Sequence, residues 1–435
     1  MINHEFARRI HYRFSSFIIY HLPFTIYHLQ FTIYNSSFIL KKITVLVANQ
    51  PIIQTASRLG EVKEYYFSTK LKEIAQMNES GDLVINLGIG NPDMSPPKEV
   101  IDKLAAQSQQ KNVHGYQSYV GIPELRQAFA KWYLDYFQVT LDPTTEILPL
   151  IGSKEGIMHI SMTYLEQGDE VLIPNPGYPA YRAVANLTGA SVREYKLSAE
   201  NAWLPDLAAL AQQDLSKVKI MWVNYPHMPT GAKATTTFFE ELVAFAKAHE
   251  ILVCNDNPYS FILNNNPLSI FSAAGAMDCV LELNSLSKAH NMAGWRIGML
   301  SGASHYLQNI LRFKSNMDSG MFRPLQLAAI EALNIDSSWY DGMNAIYKMR
   351  QQKVFDLLDL LDCEYDANQT GMFVWAKIPA KYKNGFELSD EILYNARVFI
   401  TPGGIFGNQG DGYIRASLCS EVDVFEAAIK RIEQI

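Results

Sequence analysis

The chain has 435 residues, 48% hydrophobic and 19% charged, so it can bury a large core and has room for one large domain and a smaller one. Its net charge of -7 argues against a general nucleic-acid binder, which would carry a basic face. The 4 cysteines (Cys254, Cys279, Cys363 and Cys419) lie far apart with no CxxC pair, which argues against a disulfide framework or zinc site and fits a reducing cytoplasm. No metal is expected.

The first element in chain order is anomalous. Residues 17–38 repeat as FIIYHLP, FTIYHLQ, FTIYNSS and FIL. A heptad suggests a coiled coil, but these units are aromatic and β-branched, contain Pro23 and lack flanking charges. Arg8, Arg9 and Arg13 ahead of an apolar stretch suggest a signal peptide or anchor, against which stand His21, His28, Gln30 and the lack of a small-residue cleavage site. Residues 1–51 are expected to be a repeat translated upstream of the true start, with no part in a fold or in catalysis. From Ile52 the composition turns ordinary. Arg58–Ala75 reads as an amphipathic opening helix with Leu59, Val62, Tyr66 and Leu71 on one face.

Beyond residue 95, helical patterns alternate with short apolar runs. Leu125, Phe129, Trp132 and Tyr136 mark a helix with one buried face. Ile147–Ile151 reads as a strand ending in Gly152-Ser153-Lys154, and Glu170–Pro174 as one ending in Asn175-Pro176-Gly177-Tyr178. Lys219–Val223 leads to Asn224-Tyr225-Pro226, Ile251–Cys254 to Asn255-Asp256, and Val280–Leu283 to Ser285-Leu286-Ser287-Lys288. Phe238, Leu242 and Phe245 mark a helix between the third and fourth of these strands. Such alternation predicts an α/β fold with a mostly parallel sheet covered on both faces, whose ligand site lies outside the carboxyl ends of the strands. Every polar cluster falls at such an end.

Lys288 between small hydroxyl residues, with Arg296 eight positions on, offers an amine for a Schiff base and donors for a phosphate. Gly152-Ser153-Lys154-Glu155-Gly156 ends a strand and opens a helix near Ile157, where free backbone N–H groups suit a phosphate; it is not a Walker loop. Asp256 suits a pyridine nitrogen, Tyr259 follows three residues later, and Tyr178 is thrust from a turn where its ring could stack on a flat cofactor. Arg415 could grip a substrate carboxylate through two parallel hydrogen bonds. Taken singly, each has a bland reading: a surface lysine, an ordinary helix cap, a turn aspartate, a packed tyrosine, a surface salt bridge.

Together these clusters resemble the class I/II aminotransferases, the fold-type I pyridoxal-phosphate enzymes of the aspartate, alanine and LL-diaminopimelate aminotransferase group, from about Ile52 to the end of the chain. The resemblance implies pyridoxal 5'-phosphate as cofactor, Lys288 as the Schiff-base lysine, and Ser285, Ser287 and Arg296 on the phosphate with the backbone of Ser153 and Lys154. It implies that Asp256 meets the ring nitrogen, Tyr259 the ring hydroxyl, and that Tyr178 stacks on the ring. Arg415, helped by backbone around Gly90, would hold the substrate carboxylate. Tyr116 would reach the phosphate of a neighbouring subunit, which requires a homodimer. One departure stands out: the usual Asn-Pro-Thr-Gly is Met228-Pro229-Thr230-Gly231, and a thioether cannot donate to the ring hydroxyl, so either Asn224 or His227 substitutes or the cofactor's Schiff base has a shifted pKa.

The implied activity is ping-pong transamination between an L-amino acid and a 2-oxo acid by a cytoplasmic enzyme. Another chemistry on the same cofactor (β-elimination or decarboxylation) is the alternative; a silent binding protein or a regulator with an aminotransferase-like domain is less well supported, since no winged-helix pattern precedes the body. A dicarboxylic substrate would want a second cation, for which Arg323, Lys314 and Arg182 are candidates; the aromatics near Tyr116–Tyr119 suit an apolar side chain. The expected organisation is an arm at 52–94 joined to a small α/β domain at 331–435, whose 331–360 helix and glycines carry Arg415 on a mobile part, and a large cofactor-binding domain at 95–330.

Overall fold

In the computed structural model, residues 52–60 and 66–435 are described. The repeat at 17–38 and the role expected for residues 1–51 lie outside them, as does Val62. The body of the chain is built on a seven-stranded sheet of β2 (Ile147–Leu150), β3 (Glu170–Asn175), β4 (Ser191–Lys196), β5 (Val218–Val223), β6 (Leu252–Asp256), β7 (Val280–Ser285) and β8 (Gly298–Gly302), in the order β2-β8-β7-β6-β5-β3-β4. Pairings among β3 to β7 are parallel, while β8 runs antiparallel to both β2 and β7.

Alternation along each strand feeds two cores. In β5, Met221 and Val223 face Phe238, Phe239, Leu242 and Phe245 of the helix Thr236–Ala248. Ile220 and Trp222 face the opposite core with Ile157, Ile160, Tyr181 and Val184. Burying each such side chain contributes roughly 1.5–3 kcal/mol, so a one-residue slip would exchange both cores at once.

The helix Pro123–Phe137 buries Leu125, Phe129, Trp132, Tyr133 and Phe137, while Tyr136 is only half-buried. The opening helix α1 spans Tyr66–Glu79 and buries Phe67, Lys70 and Ile74. The face expected from Leu59, Tyr66 and Leu71 is therefore wrong: Leu59 sits in an exposed turn and Leu71 is 40% exposed. The expected 331–360 helix is also two helices, Arg323–Leu333 and Ser338–Leu360. Asn334 closes the first, and the Asp336 carboxylate accepts from the Ser338 amide (2.9 Å) to start the second.

A second sheet, entirely antiparallel, has the order β12-β13-β10-β9, with β9 at Glu364–Tyr365, β10 at Phe373–Lys377, β12 at Thr401–Pro402 and β13 at Tyr413–Ser417. The segment after α1 is fastened to this lobe. Its strand β1 (Ile85–Asn86) pairs with β11 (Val398–Phe399), the Ser417 amide donates to Leu87 O (2.7 Å), and Thr401 Oγ1 donates to Gly88 O (2.9 Å). Asp93 forms a bidentate pair with Arg350 at 2.7 and 2.8 Å, and Arg350 is 1% exposed. The chain from 85 to 93 is thus held to the elements that carry Arg415.

Candidate active site

Five strand ends open into one cavity of about 600 Å³. At the first, Gly152 adopts φ +82°, a conformation that turns the chain straight from β2 into the helix Ser153–Tyr164. The helix begins one turn earlier than Ile157, so the amides of Ser153 and Lys154 lie in its first turn, and no side chain caps it. A Cβ on Gly152 would stand 2.2 Å from Arg296 Nη2, and one on Gly298 would stand 2.8 Å from the Ser153 amide. Glycine is what lets the guanidinium and the helix start close on the same point.

The opposite side of this cradle is the end of β7. Ser285 Oγ accepts from the Ser287 amide (3.1 Å), and the two hydroxyls lie 2.8 Å apart. Ser153, Lys154, Ser285, Ser287 and Arg296 all line the cavity there. Backbone amides, hydroxyls and two cations around one point make an anion site.

Lys288 follows at once, and its Nζ donates to Gly90 O at 2.9 Å. Burial lowers its pKa, and the positive fields of Arg415 and Arg296 push the same way. Asp256 ends β6 and is 5% exposed. Its Oδ2 accepts from the Tyr181 hydroxyl (3.0 Å), whereas Oδ1 is buried without a hydrogen-bond partner. Burial pushes this carboxyl up to about 6. Tyr181 is itself held flat on Trp222, with ring centroids 5.0 Å apart, and Tyr178 stands edge-on to Tyr181 at 5.6 Å. Tyr178 and Tyr259 both line the cavity, and burial raises the pKa of the Tyr259 hydroxyl.

Arg415 enters from β13, 4% exposed, with Nη2 donating to Gly88 O (2.8 Å) and Nη1 lying 3.3 Å from Met228 Sδ. Phe373 and Phe406 lie 3.8 and 4.7 Å from the guanidinium carbon. Such a dry, aromatic setting strengthens any carboxylate contact this cation makes. Of the two groups offered in place of an asparagine at Met228, only Asn224 lines the cavity; its amide donates to Asp256 O, and its carbonyl accepts from the Met228 amide (2.8 Å). His227 is buried against Thr230 Oγ1 (2.8 Å), and burial lowers its pKa to about 3.

The cavity thus brings together Gly90, Ser153, Lys154, Tyr178, Asp256, Tyr259, Ser285, Ser287, Lys288, Arg296 and Arg415. Tyr116 is apart from it and 93% exposed. The three cations offered for a second carboxylate do not line it either. Lys314 is buried against Asp318 (2.7 Å) and Tyr119 O (3.2 Å), Arg182 pairs with Glu194, and Arg323 sits half-buried at the start of its helix. Sequence reasoning missed Tyr181, whose only signal is its place in Pro174–Tyr181, and it missed Phe67, Ile89, Phe373 and Phe406, which read as ordinary core.

Residues 82–432 match the family model described as "Aminotransferase class I and II", and the chain belongs to that family of pyridoxal-phosphate-dependent enzymes. Its relatives include LL-diaminopimelate aminotransferases. That of Dehalococcoides mccartyi is 40% identical over 382 residues, covering 87% of this chain and 98% of the relative; that of Moorella thermoacetica is 38% identical over 385, covering 88% and 98%. Among solved structures, substrate-bound BacF from Bacillus subtilis superposes with a TM-score of 0.84 at 33% identity, covering 88% of this chain and 98% of that one.

The residues present fit the family's cofactor. The orphaned Asp256 Oδ1 suits a cationic ring nitrogen, the Gly152 cradle suits the phosphate, and the Lys288 amine reaches between them. The chain is an aminotransferase that moves an amino group between an L-amino acid and a 2-oxo acid by ping-pong transamination. No helix among the described residues is long and apolar enough to cross a membrane.

Proposed function

We propose that Lys288 is the covalent anchor and proton shuttle of this transaminase, and that Asp256, Tyr259 and Tyr178 hold the cofactor ring. Ser285, Ser287, Arg296 and the amides of Ser153 and Lys154 hold its phosphate. When bound, the cofactor serves as an electron sink for the electrons left when a bond at the substrate Cα breaks. The observation that carries this reading is one cavity with an amine, a buried carboxylate whose Oδ1 lacks a hydrogen-bond partner, and a buried arginine on its walls.

Arg415 accepts the substrate carboxylate, and with backbone at 88–90 it fixes which Cα bond faces the ring. The Lys288 amine, whose pKa burial lowers, takes the proton from Cα and returns it on the far side of the transfer. Asp256, ionised against a cationic ring nitrogen, keeps that nitrogen protonated. Asn224, rather than Met228, supplies an amide beside the ring hydroxyl. Tyr116, exposed on its loop, completes the phosphate site of a second copy, so the working form is a homodimer, and the 4 free cysteines fit a cytoplasmic enzyme. Residues 95–330 form the cofactor-binding domain, and 52–94 work with 331–435 as the part that carries Arg415.

LL-diaminopimelate, named for the relatives, is one amino donor to test. Holoenzyme given an amino acid alone should release one equivalent of 2-oxo acid per site, stop, and resume when a second 2-oxo acid is added. Continuous release of ammonia or carbon dioxide would show a lyase or decarboxylase instead.

A further inference from the structure

Building on the transaminase reading, we infer that the substrate side chain is uncharged and apolar, received by a wall made of Phe67 and Leu71 on α1, Ile89, and Met228. The position of that wall follows from two hydrogen bonds. Arg415 Nη2 donates to Gly88 O at 2.8 Å and Lys288 Nζ to Gly90 O at 2.9 Å, so the group that holds the carboxylate and the amine that takes the Cα proton both lean on residues 88–90. A Cα held between them lies beside the backbone of 88–90, and its side chain is directed at Ile89 and at the face of α1 that lines the cavity.

The charges in the cavity are already assigned. Among the described residues, the lysines, arginines and carboxylates that line it are Lys154, Asp256, Lys288, Arg296 and Arg415. Four of them serve the cofactor and the fifth the α-carboxylate. What remains on the α1 side is apolar apart from the Ser68 hydroxyl. Leu71 is 40% exposed although it was expected in a core, as suits a residue at a pocket rim. Met228 adds a thioether where relatives of this fold were expected to place an amide. The loop Val113–Gly121, which carries Tyr116 toward a second copy, holds His114, two tyrosines and no acidic residue, lysine or arginine, so a symmetric partner would bring no carboxylate, lysine or arginine through it.

A substrate with a far carboxylate or ammonium would have to strip its water against phenylalanine, leucine and isoleucine without a partner. Apolar side chains lose nothing there and gain burial. A charged group that finds no partner there is rejected by at least about 10-fold.

The test compares first-turnover kcat/KM of the holoenzyme with L-phenylalanine, L-leucine and L-methionine against L-aspartate, L-glutamate and LL-diaminopimelate. The apolar three should lead by at least about 10-fold. Calorimetry with unreactive acids gives a readout independent of turnover: 3-phenylpropionate should bind at least about 10-fold more tightly than glutarate. Leu71→Arg, at a position exposed enough to accept it, should shift the phenylalanine-to-glutamate ratio at least about 10-fold toward glutamate, with Leu71→Met leaving it in place. Preference for a charged amino acid, or an unchanged ratio in Leu71→Arg, overturns the inference and leaves the transaminase intact. Absence of turnover with every amino acid overturns the transaminase reading itself.

Discussion

Replacing Asp256 with asparagine should stabilise the cofactor-free protein at pH 8 while crippling the holoenzyme. The carboxyl is 5% exposed, Oδ1 lacks a partner, and burial raises its pKa from 3.8 to about 6. A folded-state pKa above the unfolded one means that the folded apoprotein disfavours the ionised form. Stability from this group is fullest below pH 3.8, is lost as the pH rises to about 6, and stays lost above. The rise corresponds to roughly 3 kcal/mol at pH 8. Asparagine removes that cost and can still accept from Tyr181, but it buries an unpaired amide worth roughly 1–2 kcal/mol. The expected net is about 1–2 kcal/mol of added stability at pH 8, and a loss of about 1 kcal/mol at pH 4, where the native carboxyl is neutral. Urea denaturation of the two apoproteins at both pH values measures this. In the holoenzyme a cationic ring nitrogen offsets the buried charge, so the same change should lower kcat by about 10³-fold or more. An Asp256→Asn apoprotein less stable than the parent at pH 8 would refute the reasoning.

Other perturbations test separate parts of the site. Gly152→Ala, with φ +82° and its Cβ 2.2 Å from Arg296 Nη2, should displace the guanidinium and weaken cofactor binding by about 10-fold or more, read by titrating apoenzyme with pyridoxal phosphate. Arg415→Lys loses the two-pronged grip and should raise KM for the amino acid about 10- to 100-fold, with a smaller effect on kcat, by steady-state kinetics. Asp93→Ala leaves the buried Arg350 guanidinium without its bidentate carboxylate and should cost about 3 kcal/mol in urea denaturation.

Strand ends were the legible part of this sequence. β-branched and aliphatic runs that stop at Gly152, Asn175, Asn224, Asp256 and Ser285 mark the edge of a parallel sheet, and chemistry-bearing residues cluster there for a physical reason: only that edge leaves backbone and side chains free to meet a ligand. Elements fixed by tertiary contact were less legible. β8 contains Gly298-Met299-Leu300-Ser301-Gly302, whose glycines hide a strand that packing against β2 and β7 supplies. Leu71 obeys the helical period of its segment but faces the cavity beside Phe67, while α1 turns Lys70 and Ile74 inward. Lys314, a candidate for substrate charge by position alone, spends its charge on Asp318 inside the fold. Pairing partners distant in sequence, such as Asp93 with Arg350 or Tyr181 with Asp256, leave no local trace.

The central claim is that Lys288 carries the cofactor covalently. Borohydride reduction of the holoenzyme, followed by proteolysis and mass spectrometry, tests it most directly. The account predicts a pyridoxyl group on the peptide containing Lys288, and neither label nor transamination in Lys288→Ala. A label fixed on another lysine, or transamination that survives unchanged in Lys288→Ala, would contradict it.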